Sequence, residues 1–284
     1  MNNLTNIGAI KALMARHGFH FSKAMGQNFI VNPSVCPRIA EMGGAAAETG
    51  ALEIGPGIGV LTAELAKRCR KVVCVELDKR LPAILAETLA DFDNVSIVTG
   101  DIMDIDLEAL LAEHFPDMDV IVCANLPYYI TSPVIMKLLE SRLRARSVTV
   151  MVQKEAARRL CAPLPSRESG AVTLAVRYYA EPRILFDVSR GSFMPAPDVD
   201  SSVIRLDIRE SPAVAVDDEA LFFQLIKAAF AQRRKTLLNS LSGGFGMEKA
   251  LVADILVRSG VNPGVRAENL TLDDFARIEA CWKS

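Results

Sequence analysis

Short apolar runs alternate with amphipathic segments from residue 51 to residue 160. The apolar runs are rich in β-branched residues and end at charged or turn residues, which predicts buried parallel strands joined by helices. The predicted strands are 51–54, 71–77, 95–98, 119–124 and 147–153. The predicted helices are 34–42, 60–68, 81–91, 107–114, 132–142 and 154–160. This alternation indicates an α/β fold with a Rossmann-like sheet.

The pattern changes in the second half of the chain. Residues 172–179 and 184–188 are predicted strands, and residues 202–208 alternate apolar and polar positions as a half-exposed strand does. Beyond Pro212 only helical patterns remain, at 221–231, 234–241, 247–258 and 272–282. We therefore predict one domain over residues 1–210 and a small all-helical C-terminal domain over residues 211–284. Residues 1–24 are expected to form a loose N-terminal arm with a helix near 7–17.

The turn after the first strand carries glycine at three alternate positions, Gly55, Gly57 and Gly59. Glycine leaves the inside of the turn free of side chains, so a ligand can approach the backbone closely. A dinucleotide-binding turn has the spacing G-x-G-x-x-G, whereas this turn is G-x-G-x-G and contains Pro56. By resemblance, this spacing favours the first motif of S-adenosylmethionine-dependent methyltransferases over the nucleotide turn of dehydrogenases.

Acidic residues follow the next two predicted strands. Glu76 lies about 20 residues after the glycine turn, at a strand end where a carboxylate can accept both ribose hydroxyls of a nucleoside. Asp101 follows the third strand at the same edge of the sheet, where a carboxylate can accept from an exocyclic adenine amine. Each acid alone is also compatible with an ordinary surface position. Together with the glycine turn they predict a nucleoside site.

The fourth predicted strand leads into the turn Asn125-Leu126-Pro127-Tyr128. Pro127 stiffens the turn, has no N–H and favours an extended conformation of Leu126. The Leu126 carbonyl and the Asn125 side-chain oxygen can then both accept hydrogen bonds from one –NH₂ group. Tyr128 offers a flat face on which a base can stack, worth about 1–3 kcal/mol. The turn therefore predicts a site for an amino-bearing base.

Composition narrows the possible partners. No apolar run reaches the ~18 residues of a membrane span, and no secretory leader is recognisable, so no membrane partner is expected. The six cysteines form no C-x-x-C pair and there are only three histidines, so we expect no bound metal and a location in the reducing cytoplasm.

The net charge of −2 does not itself suggest nucleic acid, but basic residues cluster, as at Arg233, Arg234 and Lys235. Either an RNA-binding face or an ordinary solvated surface explains such a cluster.

Seven segments resemble the KsgA-type ribosomal RNA adenine dimethyltransferases, in the same order and over nearly the whole chain. They are GQNF (26–29), EIGPGIGVLT (53–62), VELD (75–78), GD (100–101), NLPYYITSP (125–133), FMPAPDVDSSVIRL (193–206) and AAFAQRRKTLLNSL (228–241). The resemblance implies a Rossmann-like methyltransferase sheet with a small helical C-terminal domain. It also implies transfer of methyl groups from S-adenosylmethionine to N6 of two adjacent adenosines near the 3′ end of small-subunit (16S) rRNA. S-adenosylhomocysteine is then the product, a pre-30S particle the partner and a monomer the expected state.

The resemblance further implies roles for single residues. Those on the cofactor side are Asn28 and Ile30 near the methionine end, Gly55 and Gly57 in the loop, Glu76 at the ribose, Asp101 at the adenine, and Asn125. Those at the target are Asn125 and Leu126 on the amine, Pro127 in the turn, and Tyr128 and Phe193 on either side of the base. Those at RNA phosphates are Arg233, Arg234 and Lys235.

Three other functions share part of this sequence pattern. A methyltransferase of the macrolide-resistance type, acting on large-subunit rRNA, would share the sheet motifs, although the segments 198–206 and 232–241 favour the small-subunit enzyme. A nicotinamide-dependent dehydrogenase is disfavoured by the glycine spacing and by the 125–128 turn. A ribosome-assembly factor that acts chiefly by binding is compatible with all of the motifs.

Overall fold

The structure is a computed structural model that describes residues 4–21 and 26–282. The helices are α1 (Ile7–Arg16), α2 (Val35–Gly43), α3 (Val60–Ala66), α4 (Leu81–Thr88), α5 (Leu107–His114), α6 (Thr131–Glu140), α7 (Lys154–Leu160), α8 (Ala171–Tyr179), α9 (Glu219–Phe230), α10 (Leu237–Phe245), α11 (Lys249–Arg258) and α12 (Leu272–Trp282). The strands are β1 (Phe29–Ile30), β2 (Gly50–Ile54), β3 (Lys71–Glu76), β4 (Val95–Thr99), β5 (Val120–Asn125), β6 (Ala145–Gln153), β7 (Ala180–Val188), β8 (Phe193–Met194) and β9 (Ser201–Ile208). Short 3₁₀ turns lie at Arg190–Ser192 and Ala267–Asn269.

Seven strands form one mixed sheet in the order β4-β3-β2-β5-β6-β9-β7. The pairs β2–β3, β3–β4, β2–β5 and β5–β6 are parallel, and β9 runs antiparallel to β6. The chain builds outward from β2 to β4 and then returns to β5 on the other side of β2, so the strand order reverses between β2 and β5. Ligands of open α/β sheets bind outside the carboxyl ends of the strands at such a point. The predicted Rossmann-like fold class is confirmed.

The central strands are buried on both faces, which explains their continuous apolar sequences. Every residue of β2 and the last five of β3 are buried. Alternate residues of β3, Val72 and Cys74, join one hydrophobic cluster with Ile39 of α2 and Leu65 of α3. Helices cover parallel sheets on both faces, so their strands lack the apolar–polar alternation of a half-exposed sheet.

The N-terminal helix α1 is docked on the first part of the fold. Its Ile10 and Leu13 share a second hydrophobic cluster with Leu81 and Leu85 of α4. At the end of α1, Arg16 and His17 both contact the carboxylate of Glu87. The predicted helix near 7–17 is therefore correct, but the expected looseness of the arm is wrong for this helix. Residues 1–3 and 22–24 of the arm lie outside the described residues.

The chain separates into two compact units. The first comprises Met1–Ala157 and Arg183–Ile208, and the second comprises Arg158–Pro182 and Arg209–Ser284. The second unit thus contains α8 together with the four helices α9–α12. The division at residue 210 into two domains stays a prediction.

One predicted strand, 172–179, is wrong, because these residues belong to helix α8. Valine, threonine and tyrosine favour strands when only local preference is considered. Here local hydrogen bonds and packing stabilise a helix instead: the Gly170 N–H donates to Thr173 Oγ1 at 2.9 Å, and that hydroxyl donates to the Arg159 carbonyl at 2.7 Å. The Tyr179 hydroxyl donates to Glu219 of α9 at 2.6 Å. Packing and capping in the second unit override the strand preference.

Helix α10 begins later than the predicted segment 234–241. Thr236 is its N-cap, and the Thr236 side chain accepts a hydrogen bond from the Asn239 N–H. The preceding residues, 231–235, form a turn after α9. The basic triplet therefore lies in an exposed turn between two helices rather than on the face of a helix.

Within residues 4–21 and 26–282, no helix has the length and apolar character needed to cross a membrane. The same described residues contain no group of three or more histidine, cysteine, aspartate or glutamate side chains that could hold a metal ion.

Candidate active site

An open cavity lies at the carboxyl ends of the parallel strands in the first unit. Its volume is about 1150 Å³ when the space at its mouth is included. All the cofactor-side and target-side residues predicted from the sequence line it: Asn28, Ile30, Gly55, Gly57, Glu76, Asp101, Asn125, Leu126, Pro127, Tyr128 and Phe193. The structure thus brings together six segments that are far apart in the chain.

The glycine turn forms one wall of the cavity. Gly55 and Gly57 have φ angles of +70° and +59°, a region that side chains rarely adopt. A Cβ atom added at Gly55 would meet no atom within 4 Å, so it would stand in open space. At Gly57 a Cβ atom would lie 3.3 Å from the Phe29 ring. Glycine is therefore needed at Gly55 for the backbone conformation and keeps that wall open to a ligand.

Two carboxylates stand where the sequence predicted them. Glu76, at the end of β3, is 5% exposed and its Oε1 accepts the Asp78 N–H at 2.8 Å. Burial raises the pKa of Glu76, while hydrogen bonds from the backbone of Asp78 and Gly57 oppose this shift. Asp101, after β4, accepts the Met103 N–H on Oδ1 at 2.8 Å. Both side chains are thus held by the backbone at the cavity wall.

A third carboxylate, Glu53, also lines the cavity and was given no role from the sequence. It lies in β2 and is 1% exposed. Burial raises its pKa to about 7, while hydrogen bonds from Thr62 and Cys74 oppose the shift and the nearby Glu76 adds to it. An acid within an otherwise apolar strand, two residues before the first glycine, is the sequence signal that could have identified it.

Replacing Glu53 with glutamine is expected to flatten the pH dependence of folding stability. The folded-state pKa of Glu53, about 7, lies above the ordinary value of 4.5. The stabilisation that this group contributes is therefore fully present below pH 4.5 and is lost as the pH rises through 7. The loss is about 3 kcal/mol in the free energy of unfolding. Glutamine stays neutral, so urea unfolding at pH 5 and pH 8 should differ less in Glu53→Gln than in the wild type. The exposed Glu48→Gln variant is the control, and an unchanged pH dependence in Glu53→Gln would contradict the buried ionisation.

The segment 26–30 closes another side of the cavity and connects the two groups of predicted residues. The Asn28 side chain donates to the Gly26 carbonyl at 3.0 Å and so fixes the local turn. Strand β1 pairs with β8, which places Ile30 opposite Phe193. A residue predicted to contact the cofactor and a residue predicted to contact the target base therefore lie in one two-stranded ribbon.

The turn after β5 leaves the Asn125 side-chain oxygen available as an acceptor. The Asn125 Nδ2 donates to the Asn28 carbonyl at 3.4 Å. Since that carbonyl can only accept, the amide nitrogen faces it and the Asn125 Oδ1 is left to accept from a ligand. Pro127 accepts at its carbonyl from the Thr131 hydroxyl at 3.1 Å, which ties the turn to the start of α6.

A charged pair next to the cavity holds the segment before β1. The Asp78 carboxylate accepts from Arg80 Nη2 at 2.6 Å and from Gln27 Nε2 at 2.9 Å. The hydrogen bonds from Arg80 lower the pKa of Asp78 to about 2. The Arg80 guanidinium also lies 4.7 Å from the centroid of the Phe19 ring. The sequence had shown Asp78 as part of the VELD segment without indicating this contact.

The predicted RNA-contact residues lie in the second unit and differ from one another. Arg233 donates to the Arg167 carbonyl at 2.7 Å and lies 3.9 Å from Glu268, so it stabilises its own unit. The side chains of Arg234 and Lys235 make no hydrogen bond or ion pair with the residues that the structure describes, and both are exposed. These two cations are available to a partner.

The site fits S-adenosylmethionine in its chemistry. An open glycine wall suits close backbone contact with the amino-acid part, and the carboxylates of Glu76 and Asp101 suit the hydroxyls and amine of an adenosine. The strand order, the glycine turn and these carboxylates define a Rossmann-like methyltransferase.

Comparison with known proteins assigns the family. The family model described as "Ribosomal RNA adenine dimethylase" matches residues 18–283. A protein of Geobacillus thermodenitrificans (strain NG80-2) named "Ribosomal RNA small subunit methyltransferase A" is 48% identical over 275 residues, 95% of this chain and 94% of its own length. The chain therefore belongs to the ribosomal RNA adenine dimethylase family, whose members are S-adenosylmethionine-dependent methyltransferases, and the family expected from the motifs is confirmed.

Two solved structures are similar over most of the chain. A dimethyladenosine transferase from Plasmodium falciparum has a TM-score of 0.72 at 27% identity, covering 88% of this chain and 95% of its own. The 23S rRNA methyltransferase ErmE has a TM-score of 0.68 at 25% identity, covering 90% of this chain and all (100%) of its own.

Proposed function

We propose that this protein transfers methyl groups from S-adenosylmethionine to N6 of two adjacent adenosines near the 3′ end of small-subunit rRNA. The product is N6,N6-dimethyladenosine, formed during maturation of the small subunit. One observation carries the proposal: the nucleoside-binding carboxylates and the two acceptors of the Asn125-Leu126 turn line the same cavity. A donor of methyl groups and an acceptor amine can therefore meet in one space.

The cofactor is held from three sides in this proposal. Glu76 accepts hydrogen bonds from the ribose hydroxyls and Asp101 accepts one from the adenine amine. Gly55 and Gly57 allow the backbone to approach the methionine part, which Asn28 and Ile30 cover from the segment 26–30. When bound, S-adenosylmethionine supplies an electrophilic methyl group on a sulfonium sulfur.

The target amine is held by two acceptors, the Asn125 Oδ1 and the Leu126 carbonyl. The lone pair of an adenine N6 is delocalised into the ring, so the amine is a poor nucleophile. Acceptors for both of its hydrogens favour a pyramidal nitrogen whose lone pair points at the methyl donor. Pro127 fixes the turn without adding a competing N–H. Catalysis then rests on positioning and electrostatics, and the proton leaves after transfer.

The base itself is enclosed by Tyr128 and Phe193. Both side chains line the cavity, and Phe193 is 5% exposed on β8. An adenine must leave its RNA surroundings to reach them, and stacking between aromatic rings compensates part of that cost.

Removing the cation at Arg234 or Lys235 is expected to weaken binding to small-subunit particles and to make it less sensitive to salt. Each phosphate contact contributes about 0.7–0.9 to the slope of log affinity against log salt, so each single alanine variant should lower that slope by roughly this amount. Lys249→Ala, an exposed cation elsewhere in the second unit, is the control. Arg233→Ala should instead lower thermal stability, because its contact with the Arg167 carbonyl is lost. Salt slopes equal to wild type in both Arg234→Ala and Lys235→Ala would remove this turn from the RNA interface.

The proposal also includes a pre-30S particle as substrate and a cytoplasmic location. All six cysteines are free thiols, four of them buried, which suits a reducing compartment. The monomeric state stays a prediction.

A large-subunit rRNA methyltransferase is the second candidate function, because ErmE resembles this chain over its full length. The much higher identity to a small-subunit enzyme favours the first candidate.

Labelled methyl transfer to unmodified ribosomal particles separates these functions. Purified protein and labelled S-adenosylmethionine are incubated with 30S particles in one reaction and with 50S particles in another. Both kinds of particle lack the modification. The proposal predicts label in the 30S particle alone. Label in the 50S particle would move the protein to the second candidate, and cofactor binding without transfer to either would favour an assembly factor.

A further inference from the structure

We infer that Ser201 is a positioning residue that fixes the orientation of the Tyr128 ring before the target base enters. The inference rests on the proposed function, because it assigns a second partner to a ring that we propose stacks on the base. The Tyr128 hydroxyl and the Ser201 Oγ are 2.7 Å apart. Ser201 itself is fully buried and contributes no surface to the cavity.

Ser201 is a rigid anchor because of its place in the sheet. It is the first residue of β9 and pairs with Gln153 of β6 in the antiparallel ladder. The preceding residue is also fixed: the Asp200 carbonyl accepts the Lys154 N–H at 3.1 Å, and the Asp200 carboxylate accepts the Arg190 N–H at 2.9 Å. The Ser201 backbone is therefore fixed, and its hydroxyl can reach only the few positions that rotation of its side chain allows.

The Tyr128 ring is consequently held at both ends. The backbone of Tyr128 lies in the turn that Pro127 stiffens, and the hydroxyl at the far end of the ring forms a hydrogen bond with Ser201. Burial raises the pKa of Tyr128, so its hydroxyl stays protonated and can form this hydrogen bond over the working pH range. A ring that is already oriented loses less conformational freedom when a base stacks on it.

The same loop also anchors the second ring. Residues 193–201 begin at Phe193, which lies opposite Ile30 in the β1–β8 ribbon, and end at Ser201. One short segment thus fixes the position of both aromatic side chains that we propose enclose the base. Of these three residues, Ser201 is the one that does not line the cavity.

Three variants and one control test this role. Ser201→Ala and Tyr128→Phe each remove the same hydrogen bond from opposite ends, and the double variant removes both groups. Ser202→Ala is the matched control, since the Ser202 Oγ donates to Asp187 at 2.7 Å and not to Tyr128. The measurements are kcat and KM for unmodified 30S particles, the Kd for S-adenosylmethionine, and the thermal midpoint.

We expect Ser201→Ala and Tyr128→Phe each to lower kcat/KM for the particle about three- to tenfold, the effect of one hydrogen bond. The double variant should be no worse than either single variant, because the two groups act as one pair. The Kd for S-adenosylmethionine should stay within about twofold of wild type.

Several results would overturn the inference. Additive losses in the double variant, a wild-type kcat/KM in Ser201→Ala, or an equal loss in Ser202→Ala would each do so. A weaker cofactor affinity together with a lower thermal midpoint in Ser201→Ala would show a structural role only. These outcomes leave the proposed function intact, whereas failure of the wild-type protein to methylate the 30S particle would overturn both.

Discussion

Replacing Asn125 with alanine is expected to lower kcat for methyl transfer to 30S particles by about a hundredfold. The Asn125 Nδ2 donates to the Asn28 carbonyl, so its Oδ1 is the atom that accepts from the target amine in the proposed function. Alanine removes that acceptor, and loss of one preorganised hydrogen-bonding group at a reacting centre costs roughly 10²–10³ in rate. The measurement is single-turnover transfer at saturating S-adenosylmethionine, which separates chemistry from cofactor binding.

The Asn125 prediction has two internal checks. The contact with Asn28 is long, so its loss should raise the Kd for S-adenosylmethionine only a few-fold, roughly the effect of one weak hydrogen bond. Asn269→Ala, an exposed asparagine in the second unit, should behave as the wild type. A transfer rate within threefold of wild type in Asn125→Ala would remove this residue from the reaction.

Replacing Glu76 with glutamine is expected to weaken S-adenosylmethionine binding by about 10- to 100-fold. Hydrogen bonds to a charged acceptor contribute about 1.5–3 kcal/mol, and every 1.4 kcal/mol is a factor of ten in Kd. Glutamine retains an oxygen that can accept the Asp78 N–H, so the local backbone keeps its partner. Titration calorimetry with S-adenosylmethionine measures the effect directly.

The Glu76 prediction separates a ligand contact from a structural contact. The thermal midpoint of Glu76→Gln without ligand should equal or exceed that of the wild type, because burial makes the charged carboxylate costly in the free protein. Glu113→Gln replaces a carboxylate that is 75% exposed on α5, and it should leave the affinity unchanged. Equal affinities in Glu76→Gln and the wild type would exclude the ribose contact.

Much of the lining of the cavity could be predicted because its residues lie at predictable places in a parallel sheet. Glu76 and Asn125 each end a strand and Asp101 lies two residues after one, and the carboxyl ends of parallel strands meet at one edge. Prediction of the strands alone was therefore enough to place these three residues at the same edge of the sheet. The structure places all three on one cavity, as the sequence indicated.

Contacts between distant segments could not be predicted in this way. The pairing of Ile30 with Phe193 joins two strands of two residues each, too short to give a periodic signal. The contact between Tyr128 and Ser201 depends on the antiparallel register of β9, which the sequence pattern does not fix. Both contacts depend on strand register and side-chain orientation between distant segments, which the sequence pattern does not give.

Helix α8 shows why local composition failed in the second unit. Its β-branched and aromatic residues favour a strand, yet two adjacent tyrosines both donate to Glu219 of α9. Only a tertiary contact explains that arrangement, and a single-sequence pattern does not contain it. The basic triplet is visible in the sequence, but its division into one structural arginine and two available cations required the hydrogen bonds of Arg233.

Nucleoside analysis of the methylated rRNA tests the central claim most directly. Unmodified 30S particles are treated with the protein and S-adenosylmethionine, and the rRNA is digested and examined by mass spectrometry. The account predicts N6,N6-dimethyladenosine at two adjacent positions near the 3′ end, and its loss when Asn125→Ala replaces the wild type. Methylation at a different atom or base, or dimethyladenosine formed equally well by Asn125→Ala, would contradict it.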